Sequence, residues 1–298
     1  MRGDLWWRFS RDRAAQTAAA VFAIFALSAA FAGIVAPFNP HDPLQIDLLD
    51  SETPPSWEED GDARFLLGTD AQGRDLFSAI LYGLRISVVI GVFAVLLQAF
   101  LGVAIGLVAG YAGGRTDAVL MRIADIQLSF SSFMVAIVAL ALFQAVFGAA
   151  RYEELALYML IAVIGISEWP QYARSVRAVV LAEKQKEYVS AARVLGYPPP
   201  RIIFRHLFPN TLSPVLVIAT VQTANAIISE ASLSFLGLGM PVRRPSLGSL
   251  IHSGFEYIFS GAWWITFFPS AVLVALILSV NVLGDFLRDA LNPRNARL

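Results

Sequence analysis

The stretch Ile86-Ser-Val-Val-Ile-Gly-Val-Phe-Ala-Val-Leu-Leu-Gln-Ala-Phe-Leu-Gly-Val-Ala-Ile-Gly-Leu-Val-Ala109 carries no charged side chain and one amide, Gln98. As a helix rising 1.5 Å per residue it crosses a hydrocarbon layer of about 30 Å. Working outward, five more apolar runs recur: Ala14–Ala36, Val119–Phe147, Leu155–Ile166, Val215–Leu236 and Trp263–Leu287. The third is interrupted by Asp125 and Gln127, and the fourth is short, reaching toward Tyr172. The expectation is an all-α membrane protein with six transmembrane helices. Composition agrees: 57% of the 298 residues are hydrophobic and 15% charged, against about 45–50% and 25% in soluble domains. An ordinary soluble enzyme and a disordered chain are excluded. A net charge of −1 leaves no nucleic-acid footprint. Cysteine is absent, which removes disulfides, thiolate metal sites and cysteine nucleophiles.

Basic residues orient the spans, because Arg and Lys gather in cytoplasmic loops. Residues 1–13, 111–122, 171–214 and the tail from Arg288 hold 4, 2, 7 and 3 of them, against six elsewhere. Both termini are therefore expected in the cytoplasm. Ala30-Phe31-Ala32 fits a signal-peptide cleavage pattern, but the apolar run before it exceeds the usual 7–15 residues, so the first span is expected to be retained. The outer segment, residues 37–84, carries ten acidic and two basic residues. It is too small for a core of its own and reads as a lid on the membrane domain. The expected organisation is residues 1–84 (first span, outer segment, interfacial helix), 85–290 (five-helix core with the cytoplasmic loop 171–214) and a cytoplasmic tail, 291–298.

Chemistry is sparse. The two lysines, Lys184 and Lys186, do not follow glycine, so no phosphate-binding G-x-x-x-x-G-K-[ST] loop exists. His41, His206 and His252 lack metal-ligand spacing, and no G-x-S-x-G elbow occurs. No catalytic residue, metal site or bound cofactor is expected. Uphill transport must draw its energy from another subunit or an ion gradient.

The loop 171–214 is the most informative stretch. Glu183-Lys-Gln-Lys-Glu-Tyr-Val-Ser-Ala-Ala-Arg-Val-Leu-Gly196 reads as a helix with Val189, Ala192 and Leu195/Gly196 on one face. Gly196 ends it and Pro198, Pro199 and Pro200 block continuation. A second short helix is expected from Arg201 to just before Pro209. Ala191, Ala192 and Gly196 leave one side of this elbow small, which suits either a docking surface or a solvated hairpin.

Ser190-Ala191-Ala192, then Gly196, then Pro209 resembles the E-A-A-x3-G…P loop of ABC-importer permeases. Leu67-Gly-Thr-Asp-Ala-Gln-Gly-Arg-Asp75, Glu230-Ala-Ser-Leu-Ser-Phe-Leu-Gly-Leu-Gly239 and Leu287-Arg-Asp-Ala-Leu-Asn-Pro-Arg294 extend the likeness over nearly the whole chain. Together they resemble the second permease subunit of dipeptide/oligopeptide importers, a family that also moves glutathione, nickel chelates and opines. The resemblance implies the MetI-like fold of type I importers. It also implies a second homologous permease subunit, two ATPase subunits that use ATP and magnesium, and an extracytoplasmic substrate-binding protein. This chain would be the non-catalytic permease in a bacterial inner membrane, with the elbow as its ATPase-coupling loop. Ser190 stands where the family has Glu; Glu187, one turn earlier, is expected to supply part of that charge contact.

Polar groups within spans face protein or water. Gln222, Asn225 and Ser229 form one stripe on the fifth span; with Asp125 and Asn281 they are the candidate translocation path, or else they make interhelical hydrogen bonds. Asp70, expected as an N-cap, Arg74 and Glu230 are the candidate periplasmic gate, or else serve capping and packing. Trp6, Trp7, Trp263 and Trp264 are expected as interfacial anchors. The alternatives are a self-sufficient secondary transporter, for which Asp125 is the best coupling carboxylate, and an intramembrane enzyme, for which no nucleophile–base pair appears.

Overall fold

The computed structural model describes residues 2–40, 42 and 45–291. The expected tail lies outside them from residue 292 on, as does the side chain of Trp6. Among the described residues the elements are α-helices: α1 Arg2–Arg11, α2 Arg13–Ala30, α3 Ala32–Val35, α4 Leu76–Ala112, α5 Gly114–Ser129, α6 Ser132–Phe147, α7 Ala149–Ser167, α8 Trp169–Glu183, α9 Glu187–Val194, α10 Pro199–Ile202, α11 Phe208–Phe235, α12 Leu247–Phe255 and α13 Trp264–Leu291. Short 3-10 turns and one π turn, Ile203–Leu207, complete them.

Among the described residues, four helices are long and apolar enough to cross a membrane: Arg13–Ala30, Leu76–Ala112, the continuous Pro199–Phe235 and Trp264–Ala290. The pair α5 and α6 makes a fifth if it counts as one span. This is fewer than the six expected. The expected third span, Val119–Phe147, is two helices bent by 84°. Phe130 adopts an extended conformation between them, and the Gln127 amide donates to the Ile166 and Ser167 carbonyls at 3.1 and 3.3 Å, which belong to the last turn of α7. The expected fourth span becomes α7, whose first turns carry Arg151, Glu153 and Glu154.

The centre of the bundle is α4. Asp75 caps it, accepting from the Ser78 backbone N–H at 2.8 Å and from its hydroxyl at 2.6 Å. Burial holds the Asp75 carboxyl above its ordinary pKa. The expected interfacial helix Leu76–Leu84 is the first part of this same helix, which runs 37 residues, about 55 Å. It packs against α2, α5, α7, α8, α11 and α12. Three apolar clusters include its buried residues, and a fourth packs on Leu101 and Ile105. Leu76, Ile80 and Leu84 meet α11, α12 and α13; Ile90, Ala94 and Val95 meet α6, α7 and α11; Leu107 meets α8, α9 and α11.

The stretch 171–214, expected as a cytoplasmic loop carrying two short helices, is helical over most of its length, including the part before Glu183. Helix α8 lies against α4, burying Tyr172, Ala173, Val176 and Val180. Gly102, Gly106 and Gly110 make this possible. A Cβ at Gly102 would lie 2.4 Å from Tyr172 Cβ, one at Gly106 would lie 2.6 Å from the Ala173 carbonyl oxygen, and one at Gly110 would lie 2.7 Å from Val180 Cγ1. The second expected helix does not stop before Pro209. The chain runs through a π turn in which the Phe208 N–H reaches the Ile203 carbonyl. Pro209 lacks the N–H that would serve the Arg205 carbonyl, and the wider turn accommodates its ring.

The segment that precedes α4, expected as a lid, packs on α4 and α13. The Thr69 N–H donates to the Thr53 carbonyl at 2.9 Å, the Thr53 N–H to the Thr69 hydroxyl at 2.8 Å, and the Phe38 N–H to Ser78 Oγ at 3.1 Å. Trp57 meets Phe268 of α13 edge-on at 6.0 Å. Trp264, expected as an anchor, is buried and donates from Nε1 to the Thr69 carbonyl at 3.1 Å, clipping α13 to the lid. Trp7 and Trp263 are exposed.

Gly106→Leu is expected to force α4 and α8 apart, costing about 1–3 kcal/mol. Its melting temperature in detergent should fall clearly below that of Gly33→Ala, whose added methyl meets only Tyr82 Oη at 3.5 Å.

Candidate functional site

Three groups of residues stand out: the elbow, the α11 polar stripe and a buried cluster near the lid. In the elbow, α9 buries Val189 and Ala192 against Ile202 and Leu207. Glu187, Ser190, Ala191 and Val194 form the opposite, exposed stripe. Ala192, read as part of the small outer side, therefore belongs to the protein's own core. Leu195, expected on the same face as Val189 and Ala192, lies beyond the last turn and is 70% exposed; Val194 is 88% exposed. Gly196 takes φ +75°, and nothing lies within 4 Å of where its Cβ would be. Its N–H reaches the Arg193 carbonyl and the Tyr197 N–H reaches that of Ala192, the paired bonds of a Schellman cap. Only glycine holds that turn without strain. Pro209 is exposed on the outgoing helix.

Polar contacts fix the elbow to its base. Lys186 pairs with Glu183 at 2.6 Å, and the Tyr188 hydroxyl donates to the same carboxylate. The Lys186 bond, then the Tyr188 bond, hold the Glu183 carboxyl below its ordinary pKa. Lys184 Nζ donates to the Tyr111 carbonyl at 2.6 Å, within the last turn of α4. Asp117 of α5 accepts from Arg177 of α8 in a two-point pair.

The expected path residues do not form one continuous lining. Gln222 is buried, and its Oε1 accepts from Asn225 Nδ2 at 2.8 Å, while its own Nε2 has no partner. Asn225 is exposed; Ser229 is half-buried beside Ser132, Phe133 and Glu168 in a small cleft between α11, α6 and the α7–α8 junction. Asn281 is half-buried on α13, one turn before Gly284, which faces Thr220 of α11. Asp125, expected without a partner, pairs with Arg174 of α8.

The lid cluster is the most densely bonded. Asp70 is not the expected N-cap. It is 3% exposed, and its Oδ1 accepts from the Gln72 and Arg74 N–H groups at 2.9 and 3.0 Å. Its Oδ2 accepts from Arg74 Nε at 2.6 Å. Arg74, also 3% exposed, donates onward to the Val242 carbonyl at 2.8 Å, tying the start of α4 to the α11–α12 connection. Glu230 is fully buried and stands apart from that pair in the bonding. Ser87 of α4 and Ser234 of α11 each donate to one of its oxygens at 2.7 Å. Ser246, the N-cap of α12, donates to Ser234 at 3.2 Å, and the Leu247 N–H donates to Ser87 at 3.3 Å. One carboxylate thus joins three helices, and Tyr152 of α7 adds a fourth by donating to the Leu238 and Gly239 carbonyls.

Glu230, Asp70 and Arg74 are legible in the sequence; Ser87 and Ser234, within apolar runs, and Ser246, in a loop, are not, because lone serines carry no distinctive spacing. Sequence reasoning also missed Gly102, Gly106 and Gly110. Their four-residue interval was a readable sign of close helix packing.

Comparison with known proteins gives a consistent relationship. The family model described as binding-protein-dependent transport system inner membrane component matches residues 102–297. That for the N-terminal TM domain of oligopeptide transport permease C matches residues 1–55. The dipeptide transport system permease protein DppC of Escherichia coli (strain K12) is 38% identical over 291 residues, 98% of this chain and 92% of that one. The di/tripeptide transport system permease protein DppC of Pseudomonas aeruginosa (strain UCBPP-PA14) is 35% identical over 291 residues, covering 98% and 91%. The oligopeptide transport system permease protein OppC of Bacillus subtilis (strain 168) is 35% identical over the same length, covering 98% and 89%.

Arg74→Ala leaves the Asp70 carboxylate buried without its cation and is expected to cost about 3–5 kcal/mol. The double change Asp70→Asn with Arg74→Met should recover a large part of the lost melting temperature in detergent, since no buried charge then remains unpaired.

Proposed function

The chain belongs to the binding-protein-dependent permease family of dipeptide and oligopeptide transport systems, and from that premise we propose that it is one of two permease subunits of an ATP-driven importer of short peptides. It sits in the bacterial inner membrane with both termini in the cytoplasm. A second, homologous permease completes the pore, an extracytoplasmic binding protein delivers the substrate, and two ATPase subunits dock on the cytoplasmic side. This chain performs no catalysis; ATP and magnesium belong to the ATPases.

The observation that carries the reading is the elbow. Glu187, Ser190, Ala191 and Val194 present an exposed stripe ending at Leu195 and the open space over Gly196. The surface stands on α8 and α11, two helices packed on α4. The concentration of basic residues in 171–214 supports its cytoplasmic side. ATP acts by its different affinity for two states of the assembly: closing the ATPase pair draws the elbows together and favours the outward-open bundle. Glu187 offers the acidic contact in the turn before Ser190. A self-sufficient secondary transporter is less well supported, because Asp125 is held by Arg174 outside the core.

Gly196→Arg places a long cation over the docking surface and strains the cap; Val194→Asp adds a charge there while leaving the cap glycine in place. Both variants are expected to insert in the membrane normally and to lose co-purification with the ATPases. Wild-type recovery of the ATPases with either variant, or labelling of a cysteine introduced at Ser190 by an impermeant reagent added outside intact cells, overturns the reading.

A further inference from the structure

The last turn of α4 is gripped from both ends of α9. Lys184, three residues before α9, donates from Nζ to the Tyr111 carbonyl at 2.6 Å and to the Gly110 carbonyl at 3.5 Å. These belong to the final carbonyls of a helix, which lack intrahelical partners and attract cations. The same Nζ lies 5.7 Å from the centre of the Tyr111 ring. Arg193, near the other end of α9, brings its guanidinium carbon to 5.9 Å from that ring. Both lie within the range of cation–π attraction. One half-buried tyrosine thus receives two cations, one from each side of an eight-residue helix whose outer stripe is exposed.

We propose that Tyr111, held by Lys184 and Arg193, is the joint through which movement of the elbow is passed to α4. The inference rests on the reading of the chain as an ATP-driven permease and deepens it. Docking uses the outer stripe of α9; Tyr111 is on another helix and acts after docking. What α4 carries makes the joint consequential. Ser87, further along the same helix, bonds Glu230 and the N-terminus of α12, and Asp75 begins it at the lid. A pull on residue 111 therefore moves the helix that holds the cluster near the lid. The glycine seam transmits force between α8 and α4 by contact; the Tyr111 joint ties α4 to α9 itself. Lys184, Tyr111 and Arg193 are positioning residues and touch no substrate.

The complete transporter, with its cognate binding protein, is reconstituted in proteoliposomes and offered a tryptic digest of casein. Luminal peptides are read by mass spectrometry and ATP use by phosphate release. Tyr111→Leu removes the ring and keeps the carbonyl; Lys184→Met removes both contacts of the lysine; Tyr111→Phe keeps the ring. Tyr111→Leu and Lys184→Met are expected to co-purify with the ATPases and hydrolyse ATP as the wild type does. Their yield of peptide per ATP should fall about fivefold or more, the lower end of usual coupling between sites, and Tyr111→Phe should retain it. An unchanged yield in Tyr111→Leu overturns the proposal, as does a loss of co-purification, which would make the ring part of the dock. A wild-type complex that binds no ATPase sinks the permease reading itself, and is told apart by its failure before any substitution is made.

Discussion

The arrangement depends on how closely α8 can approach α4. At Gly102, Gly106 and Gly110 the backbones of the two helices come so near that a single added methyl would collide with backbone or Cβ atoms. Without that seam α8 would have to move outward by a side chain's width. The elbow that follows α8 would then lose its registry with the last turn of α4, and Arg177 would draw away from Asp117. Dispersion between tightly packed surfaces is individually small and collectively large, and in lipid, where apolar tails compete equally well for apolar faces, such packing is a main source of helix association. A membrane helix with a continuous glycine edge is therefore a fixed reference, and the elbow is positioned relative to it.

At the opposite end the cohesion is polar. The Asp70–Arg74 pair and the Glu230 serine cluster are both buried, and each joins segments far apart in the chain. A buried carboxylate is tolerated when its lone pairs are met by donors. Ser87, Ser234 and the N-terminal region of α12 meet that demand for Glu230. Such a network favours one arrangement strongly and few others. The two ends of α4 therefore differ in kind: a contact surface and cation joint at one, a directional hydrogen-bond cluster at the other.

The apolar runs made the helical membrane class legible, and the ordered motifs identified the family. The span boundaries were less legible for physical reasons. Val119–Phe147 reads as one long span interrupted by Asp125 and Gln127, yet the chain bends at Phe130, and Gln127 fixes that bend by reaching α7, a tertiary contact that no local window contains. Helix α8 read as loop because Arg174 and Arg177 break its apolar pattern, although Asp125 and Asp117 of α5 pair with them. Pro209 read as a stop because it ends ordinary helices; the π turn removes the conflict locally. Asp70 reads as the cap from sequence; in the fold it is engaged by Arg74, and Asp75 takes the cap.

The π turn at Ile203–Leu207 has a geometric consequence for the helix beyond it. It accommodates one residue more than a regular turn would, and each residue of an α-helix advances the azimuth by about 100°. The face on which Gln222 and Asn225 sit is thus offset by that angle from where an uninterrupted helix starting at Pro199 would aim it. Shortening the chain by one residue there would relax the bulge and rotate the whole downstream rod, turning its amide-bearing side from one neighbour to another while leaving the composition of the helix almost untouched.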